Sequence, residues 1–271
     1  MTLPQNQTKQ HRTKQSPRER MAEAQRREAR ANTVRRRVVV GVSIAAVLAL
    51  AGAAAVAIGT ARTTDAPTAT ASAPVVTPAN AGGQDGTVIV YGRADAPHTL
   101  QVYEDFRCPI CRKLEESTGK TVQQLADNGT YKIEYHLAAF LDDGLGGKGS
   151  ATALAAAGAA LNEGVDKFKQ FHDVLFANQP EEQVDGFGDV NHLLDLAGKV
   201  PGLKTDAFTK AVTEGTYKPW AAKVAATFND SGVQGTPTLI LDGKQLQVFD
   251  SKNAPITPEQ YTALVRRTTG G

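Results

Sequence analysis

The sequence contains two cysteines, and both lie in one C-x-x-C motif at residues 108–111. A strand-like run at residues 100–104 precedes the motif, and a helix-like run starts at Pro109, a residue suited to the first helical position. Cys108 therefore falls at a helix N-terminus, where unpaired N–H groups and the helix dipole lower a cysteine pKa from ~8.5. We predict that Cys108 is a nucleophilic thiolate and that Cys111, one turn later, resolves the mixed disulfide.

Other uses of the cysteine pair fit the sequence less well. A zinc site needs about four ligands, and the histidines of the folded region show no paired spacing, so each is expected to be a surface or core residue. A c-type haem would require a histidine after Cys111, where Arg112 stands. A purely structural disulfide closing so short a loop would remove little entropy from the unfolded chain. We expect no metal and no cofactor; the histidines concerned are His98, His136, His172 and His192.

The elements around the motif indicate an α/β fold. A predicted helix leaves the cysteines and ends at Asn128-Gly129. Because this helix lies between two predicted strands, those strands should be parallel neighbours joined by a right-handed crossover. A later pair is joined by a hairpin turn at Asp242-Gly243. The predicted strands are residues 87–91, 100–103, 131–136, 238–241 and 245–248.

A helical block at about residues 150–230 is inserted within the sheet. Its Ala-rich and amphipathic segments are separated by Gly, Pro and Asp. Ser150 and Thr205 are predicted helix caps, and a capping box at residues 257–260 opens a last helix at the end of the chain. The predicted helices are residues 150–161, 165–177 and 190–197, one from Thr205, one at 219–228 and one at 258–268.

Several features together resemble the DsbA-like branch of thioredoxin-fold thiol–disulfide oxidoreductases. They are the run E-D-F-x-C-P-I-C at residues 104–111, the helical block, and the run V-Q-G-T-P-T at residues 233–238 before a strand. The resemblance covers roughly residues 87–268 and implies a thioredoxin-like fold with an inserted helical block. It also implies that Pro237 is cis and lies against the cysteines. Thr236 would then shape the redox properties and pair through its backbone with an extended substrate segment.

The sequence departs from the pattern of that family at two positions. Thioredoxin-like proteins often carry a buried carboxylate six residues before the first cysteine, where this chain has Val102. Proton transfer with Cys111 would then use Glu104, Asp105 or water; Glu104 is the closest candidate, although an exposed carboxylate is expected there. Ile110 replaces the histidine that the strongest oxidants of the family have between their cysteines. One interaction with the first thiolate is therefore missing, and the pair is expected to be less oxidising.

The N-terminal part of the chain predicts a single transmembrane helix. Residues 1–37 hold eleven Lys or Arg against three Glu, so we expect a disordered basic tail, either merely solvated or attracted to anionic lipids. Residues 38–59 carry no charge and are long enough to span a bilayer, and the arginines before them place the tail in the cytoplasm. Residues 60–86 are expected to be a flexible linker to a domain at residues 87–271.

Two alternatives to a permanent anchor stay open. A cleaved signal peptide would have an apolar segment of only ~7–15 residues, and the small residues at 71–73 lie far beyond the apolar run. The run would otherwise be a buried core helix. Beyond the basic tail the chain carries net negative charge, which disfavours nucleic acid as a partner.

The sequence thus predicts a membrane-anchored enzyme whose catalytic domain faces the extracytoplasmic side and exchanges disulfides with secreted proteins. We favour an oxidase that a membrane partner such as a quinone-linked oxidase regenerates, as the resemblance implies. The same residues fit a reductase or isomerase that a membrane thiol reductase supplies with electrons, because direction depends on potential. A tethered chaperone-like module that binds unfolded chains is the non-enzymatic alternative.

Overall fold

The computed structural model describes residues 75–83 and 85–270. The predicted basic tail, the predicted membrane span at residues 38–59 and most of the predicted linker lie outside these residues, and they stay predictions. Within the described ranges, no helix combines the length and the apolar character needed to cross a membrane.

In the described part of the chain, five strands form one sheet: β1 is Ile89–Tyr91, β2 is Thr99–Asp105, β3 is Lys132–Ala138, β4 is Thr238–Leu241 and β5 is Lys244–Gln245. Their order is β1-β3-β2-β4-β5. The central strand β2 pairs with β3 in parallel, as predicted, and with β4 antiparallel. Neighbours on both edges and helices on the faces bury all of the last four residues of β2. The C-terminal end of β2, which leads into the cysteine motif, is therefore held in a fixed position.

A continuous helical segment leaves the cysteine motif in three parts: α1 (Pro109–Leu114), a π-helical turn (Glu115–Gly119) and α2 (Lys120–Asp127). The π-helical turn, which the sequence did not predict, holds an extra residue and is wider than an α-helical turn. A Cβ atom at Gly119 would lie 2.4 Å from the Glu115 carboxylate, so a larger residue there would require that side chain to move. The segment ends at Asn128 as predicted.

The predicted helical block lies between β3 and β4. Residues 165–177 and 190–197 form helices with the predicted bounds. The longest helix of the block is rich in alanine and buried on most sides, and its Gly158 lets the Trp220 ring pack close, since a Cβ there would lie 2.6 Å from the ring. The helices are α3 (Leu141–Leu145), α4 (Gly149–Glu163), α5 (Val165–Ala177), α6 (Val190–Ala197), α7 (Asp206–Glu214) and α8 (Lys218–Asp230).

The start of α4 differs from the prediction. Ser150 is not its cap; the helix begins at Gly149, and the Ser150 hydroxyl donates to Asp105 of β2 over 2.6 Å. The Asp142 carboxylate accepts from two N–H groups of the first turn, and Asp185 accepts from the Gly149 N–H. Side chains distant in sequence therefore supply the cap. The Thr205 cap of α7 is confirmed, because its hydroxyl accepts from a backbone N–H of the first turn.

The domain begins earlier than the predicted boundary at residue 87. Gly82 forms a β-bridge with Val88, the Trp220 ring N–H donates to the Gly86 carbonyl over 2.6 Å, and the Asn80 amide donates to a carbonyl at the end of α4 over 2.8 Å. The last part of the predicted flexible linker is therefore attached to the helical block, because its polar groups find partners on α4 and α8.

The C-terminal region follows the prediction with one difference. Strand β5 ends at Gln245, whereas the sequence predicted a strand through residue 248. Helix α9 spans Pro258–Thr269. Its capping box joins Thr257 and Gln260 as predicted, with each side chain accepting from the other residue's N–H.

Candidate active site

Cys108 lies at the junction of β2 and α1, as the sequence predicts. It is the N-cap residue of α1, with extended backbone angles, and its N–H donates to the Asp105 carbonyl over 2.9 Å. Pro109 follows at the first helical position, where its missing N–H costs nothing. The two sulfurs are not bonded to each other; Cys108 is 7% exposed, whereas Cys111 is completely buried. Only the first sulfur is therefore accessible to a protein substrate.

The loop before β4 lies against Cys108. Strand β4 pairs with β2 so that Thr238 is opposite Tyr103, and this register brings the preceding loop to the C-terminal end of β2. The Thr236–Pro237 peptide bond is cis, as the resemblance implies. The Cys108 thiol donates to the Thr236 carbonyl over 3.5 Å. The structure thus brings together the cysteine and the proline loop, which are distant in sequence.

An open groove borders the same loop. Its volume is about 610 Å³, and it is lined by residues 231–238 together with Ile240 and Gln245. Thr236 both lines the groove and contacts the cysteine. Thr236 therefore links the groove to Cys108, which is not itself one of the lining residues.

Hydrogen bonds stabilise the Cys108 thiolate. The main one comes from the Cys111 thiol, and it outweighs the opposing effect of burial; the Thr236 side chain and the N–H groups of Cys111 and Ile110 add to it. Together they lower the pKa of Cys108 to about 7. The N–H is the only contribution that Ile110 makes to the thiolate, since its side chain packs against the hydrophobic core.

Cys111 has the opposite environment. Burial raises the pKa of its thiol well above the ordinary value, and the hydrogen bond to Cys108, the charge of Cys108 and the charge of Glu104 raise it further. Cys111 is therefore a thiol at neutral pH, and it can donate its proton to the Cys108 thiolate in a hydrogen bond.

Gln179, which follows α5, holds the backbone around the first cysteine. Its side-chain N–H donates to the Phe106 carbonyl over 2.8 Å and to the Cys108 carbonyl over 3.0 Å. Its own carbonyl accepts from Arg112 of α1 over 3.2 Å. The helical block thus fixes the turn that carries the nucleophile candidate.

Arg107 ties the same turn to the start of α4. Its side chain is 4% exposed, donates to Asp142 over 2.8 Å and to the Gly146 carbonyl over 2.9 Å, and lies 3.5 Å from Asp185. Asp142 and Asp185 also cap α4. Arg107, the residue before the first cysteine, therefore shares one polar network with the start of this helix.

Asp105 belongs to this structural network rather than to proton transfer. Its carboxylate accepts from the N–H groups of Arg107 and Leu141 and from the Ser150 hydroxyl. Burial raises the pKa of Asp105, and these hydrogen bonds offset part of the rise. Its oxygens are occupied, so it is a poor proton partner for Cys111.

Glu104 is completely buried, contrary to the exposed carboxylate expected there. Its Oε2 lies 2.9 Å from Nε2 of His172 on α5, while its Oε1 has no hydrogen-bond partner among the described residues. Glu115 of the π-helical turn completes the cluster, in which one polar atom of each side chain lies within 4.8 Å of the others. His172 was expected to be either a surface or a core residue, and the structure places it in the core; its partner Glu104 was not predicted. The prediction that these residues hold no metal stays a prediction.

Comparison with known proteins supplies the family. Residues 84–267 match the family described as Thioredoxin. This chain belongs to the thioredoxin family. The match covers the cysteine motif, the helical block and the proline loop together, so all parts of the site lie within the family domain.

Relatives within the thioredoxin family narrow the assignment. Disulfide bond formation protein D of Bacillus subtilis is 27% identical over 161 residues, which are 59% of this chain and 70% of that protein. The reduced disulfide bond oxidoreductase DsbG of Mycobacterium tuberculosis is 26% identical, with a TM-score of 0.55 over 67% of this chain and 84% of that one. Reduced DsbA of the same organism is 26% identical, with a TM-score of 0.54 over 67% and 88%. The chain is a DsbA-like thiol–disulfide oxidoreductase.

Some residues of this thioredoxin-family site escaped sequence reasoning. For His172, the available signal was a polar residue among aromatic side chains on a predicted buried helix. Gln179 and Arg107 gave no signal, because their partners lie more than thirty residues away in sequence. These contacts belong to the inserted helices rather than to the motif itself.

Proposed function

We propose that this oxidoreductase oxidises thiol pairs of secreted proteins, with Cys108 as nucleophile and Cys111 as resolving cysteine. The asymmetry of the motif carries the proposal: a low-pKa sulfur lies beside the proline loop, and a protonated one is buried behind it. This asymmetry suits exchange in either direction, because a pKa of about 7 for the first cysteine is also that of thioredoxin. The name of the Bacillus relative, a disulfide bond formation protein, supports oxidation.

The reaction is a pair of thiol–disulfide exchanges. In the oxidised enzyme a substrate thiolate attacks the Cys108 sulfur, a substrate–Cys108 bond forms, and the Cys108–Cys111 bond breaks. Cys111 leaves with the electron pair and takes up a proton. A second substrate thiolate then attacks the substrate sulfur of the mixed disulfide, and Cys108 leaves as a thiolate. The substrate pair loses two electrons and the enzyme pair gains them.

The loop at Thr236 and Pro237 is the proposed docking site for the substrate. An extended segment in the neighbouring groove would place its cysteine at Cys108, and main-chain hydrogen bonding would make the site tolerant of sequence. Pro109 and Ile110 shape the turn that presents the nucleophile. Behind this turn, burial raises the pKa of Cys111, and the charge of Glu104 raises it further.

The proposal includes a location outside the cytoplasm. The uncharged run at residues 38–59 and the arginines before it support a single anchor with a cytoplasmic N-terminus. A membrane redox partner, either a quinone-linked oxidase or a thiol reductase, would then set the resting state of the cysteine pair. An oxidising compartment outside the cytoplasm favours the quinone-linked oxidase.

A cysteine substitution tests the enzymatic function. We expect the full-length Cys108→Ser protein to lose oxidation of a synthetic dithiol peptide, and the Cys108 thiolate of Cys111→Ser to attack the disulfide form of that peptide and hold it as a mixed disulfide. A wild-type protein that binds unfolded chains but leaves the dithiol peptide unoxidised would overturn the proposal in favour of a binding module.

The reduction potential tests the direction. A value near about −120 mV would mark an oxidase and one near about −270 mV a reductase. The Ile110→His variant sharpens this measurement, since a donor beside the thiolate should move the potential toward the oxidising end. An unchanged potential would remove the predicted role of residue 110.

A further inference from the structure

Three side chains from separate elements meet where the sheet packs against the helical block: Glu104 of β2, Glu115 of the π-helical turn and His172 of α5. One polar atom of each lies within 4.8 Å of the other two. Glu104 and His172 are completely buried, and Glu115 is half-buried. We call these three residues the Glu-Glu-His cluster. Two carboxyl groups and an imidazole at this separation are groups that bind metal ions in proteins.

One oxygen of the cluster has no partner. Oε2 of Glu104 lies 2.9 Å from Nε2 of His172. Oε1 of the same carboxylate is buried and makes no hydrogen bond within the described ranges. Because a buried charged oxygen without a partner is costly, this position favours a cation.

The two carboxyl groups of the cluster interfere with each other. Burial, and then the charge of Glu104, raise the pKa of Glu115 to about 8. Glu115 therefore keeps a proton near neutral pH. A divalent cation between the two groups would let both ionise, since its two positive charges balance theirs.

Asp173 holds the imidazole of the cluster in an orientation typical of metal ligands. Its Oδ1 lies 3.2 Å from Nδ1 of His172 and also pairs with Lys169. When Nδ1 donates its proton to Asp173, the lone pair of Nε2 faces Glu104. Metal-binding histidines commonly have a carboxylate on their second nitrogen in this way.

A cavity gives the cluster a route to solvent. It has a volume of about 410 Å³, lies between the π-helical turn and α5, and is lined by Glu115, Gly119 and Asp173 among others. Gly119 has no side chain to compete with the Glu115 carboxylate for this space. An ion can enter through the cavity, and water in it can complete a coordination shell.

The donor atoms favour one kind of metal. Two carboxylate oxygens and one imidazole nitrogen suit Zn²⁺, which binds three protein ligands and one water at an open site. Ca²⁺ and Mg²⁺ prefer shells of oxygen alone. The ligands of Zn²⁺ lie about 2.0–2.2 Å from the ion, so the three atoms must draw together by at most roughly 1.5 Å. Rotation of the half-buried Glu115 side chain can supply this movement.

We propose that Glu104, Glu115 and His172 bind one Zn²⁺ ion, with water from the cavity as the fourth ligand and Asp173 orienting the imidazole. The ion would join β2, the π-helical turn and α5, and would thereby fasten the helical block to the sheet. The expectation of no metal rested on spacing along the chain, whereas these ligands come together only in the fold. The zinc site does not depend on the direction of disulfide exchange.

Binding exchanges protons for the ion. Without metal, burial disfavours the imidazolium, but the hydrogen bonds to Asp173 and Glu104 outweigh it and raise the pKa of His172 to about 9. The ring is therefore charged at neutral pH. Zn²⁺ takes the lone pair of Nε2, and the protons of His172 and Glu115 leave to water. Two positive charges arrive and two depart, so the net charge of the cluster is unchanged.

Zinc binding to the oxidised protein is the test. Full-length protein is stripped of metal with a chelator, and its Cys108–Cys111 disulfide is kept closed so that the cysteines cannot bind the ion. Zn²⁺ is then added, and the bound ion is counted by equilibrium dialysis. We expect one ion per chain and a higher urea midpoint with Zn²⁺, because an ion that binds only the folded state stabilises it. Wild-type protein that binds no Zn²⁺ would overturn the proposal.

Variants of the ligands locate the ion. Glu115→Gln and His172→Gln should each lose the bound ion and the zinc-dependent rise in urea midpoint. Asp173→Asn should weaken binding by about 10–100-fold, the usual effect of losing an orienting partner. His98→Gln is the matched control and should keep the wild-type affinity, because His98 contacts the carboxylate of Asp242 in a pair without a third ligand group among the described residues. Wild-type affinity in both Glu115→Gln and Asp173→Asn would overturn the site.

Two further measurements identify the ligands and separate the zinc site from the proposed function. Co²⁺ in place of Zn²⁺ should show no thiolate-to-metal charge-transfer band. Excess Ca²⁺ should not displace Zn²⁺; displacement would mean that oxygens alone hold the ion, and it would overturn the role of His172. Oxidation of the dithiol peptide is measured on the same samples, and its failure would overturn the proposed function while the zinc site stands.

Discussion

The two sulfurs of the motif lie one helical turn apart, yet they have different surroundings. Cys108 meets the loop at Thr236 and Pro237, which leads into the sheet, and hydrogen bonds lower its pKa to about 7. Cys111 lies on α1, which packs against the inserted helix α5, and burial raises its pKa well above the ordinary value. We call these surroundings the proline-loop side and the insertion side.

The comparison shows that spacing alone does not assign the roles of the cysteines. The proline-loop side provides access and hydrogen bonds to a thiolate. The insertion side provides burial, the backbone contacts of Gln179, the anchor at Arg107 and the partner of Glu104. The helical block therefore contributes contacts to the site itself and does not merely border it.

The largest expected effect comes from removing the Arg107 side chain, which anchors the insertion side. Arg107→Leu removes a buried guanidinium and leaves Asp142 without its cation. Breaking a buried ion pair costs about 3 kcal/mol, so urea unfolding of the reduced protein should show a loss of this size. Because the helical block would be loosened, Cys111 should also become reactive toward alkylating agents.

The control for this variant is Arg93→Leu. That arginine pairs with Asp95 on the surface, where ion pairs are screened by solvent. Both the unfolding midpoint and the protection of Cys111 should stay at wild-type values. Full protection of Cys111 in Arg107→Leu would mean that the insertion side does not depend on this anchor.

An intermediate effect is expected from breaking the contact between the two sides. Cys111→Ala removes the main hydrogen bond to the Cys108 thiolate, so the pKa of Cys108 should rise from about 7 toward the ordinary value for a thiol. A rise of one pH unit corresponds to about 1.4 kcal/mol. The alkylation rate of Cys108 follows the thiolate fraction, and its midpoint should move to higher pH.

Thr236→Val provides the comparison from the proline-loop side. Thr236 ranks below Cys111 among the groups that lower the pKa, so the midpoint should move in the same direction by less. The midpoint of Cys108 alkylation could instead stay near pH 7 in both variants. The helix N-terminus alone would then stabilise the thiolate, and neither Cys111 nor Thr236 would contribute to it.

The smallest expected effect concerns Gln179. Gln179→Ala leaves the carbonyls of Phe106 and Cys108 without their side-chain donor. The loss of such hydrogen bonds costs about 1 kcal/mol, measurable as a lower urea midpoint. Gln183→Ala, at an exposed position of the following loop, is the matched control and should have no effect. Equal midpoints for the two variants would show that this backbone contact adds no stability.

Local signals in the sequence were sufficient for much of the fold. The N-cap position of Cys108, the cap at Thr205, the capping box at Thr257 and the helices at residues 165–177 and 190–197 depend on neighbouring residues, and all were predicted. The parallel pairing of β2 and β3 followed from the order of the elements. These features need no knowledge of distant contacts.

Contacts between distant residues account for what the sequence did not show. Glu104 and His172 are 68 positions apart, and without their hydrogen bond a carboxylate at 104 suggested an exposed residue. Ser150 was assigned to a helix cap because its real partner, Asp105, lies on a strand 45 positions earlier. The proline loop was placed correctly through the family resemblance, since nothing local to it indicates a neighbour 128 residues away.

The π-helical turn at Glu115–Gly119 constrains how this protein can change over generations. Each residue of a helix adds about 100° of rotation, so losing one residue from the turn would swing Val122 and Ala126 away from the interior. Exchanges of side chain on the outer surface of α2 leave that orientation untouched. We expect lineages of this protein to vary freely there in residue type while keeping the number of residues between the second cysteine and the end of α2 constant.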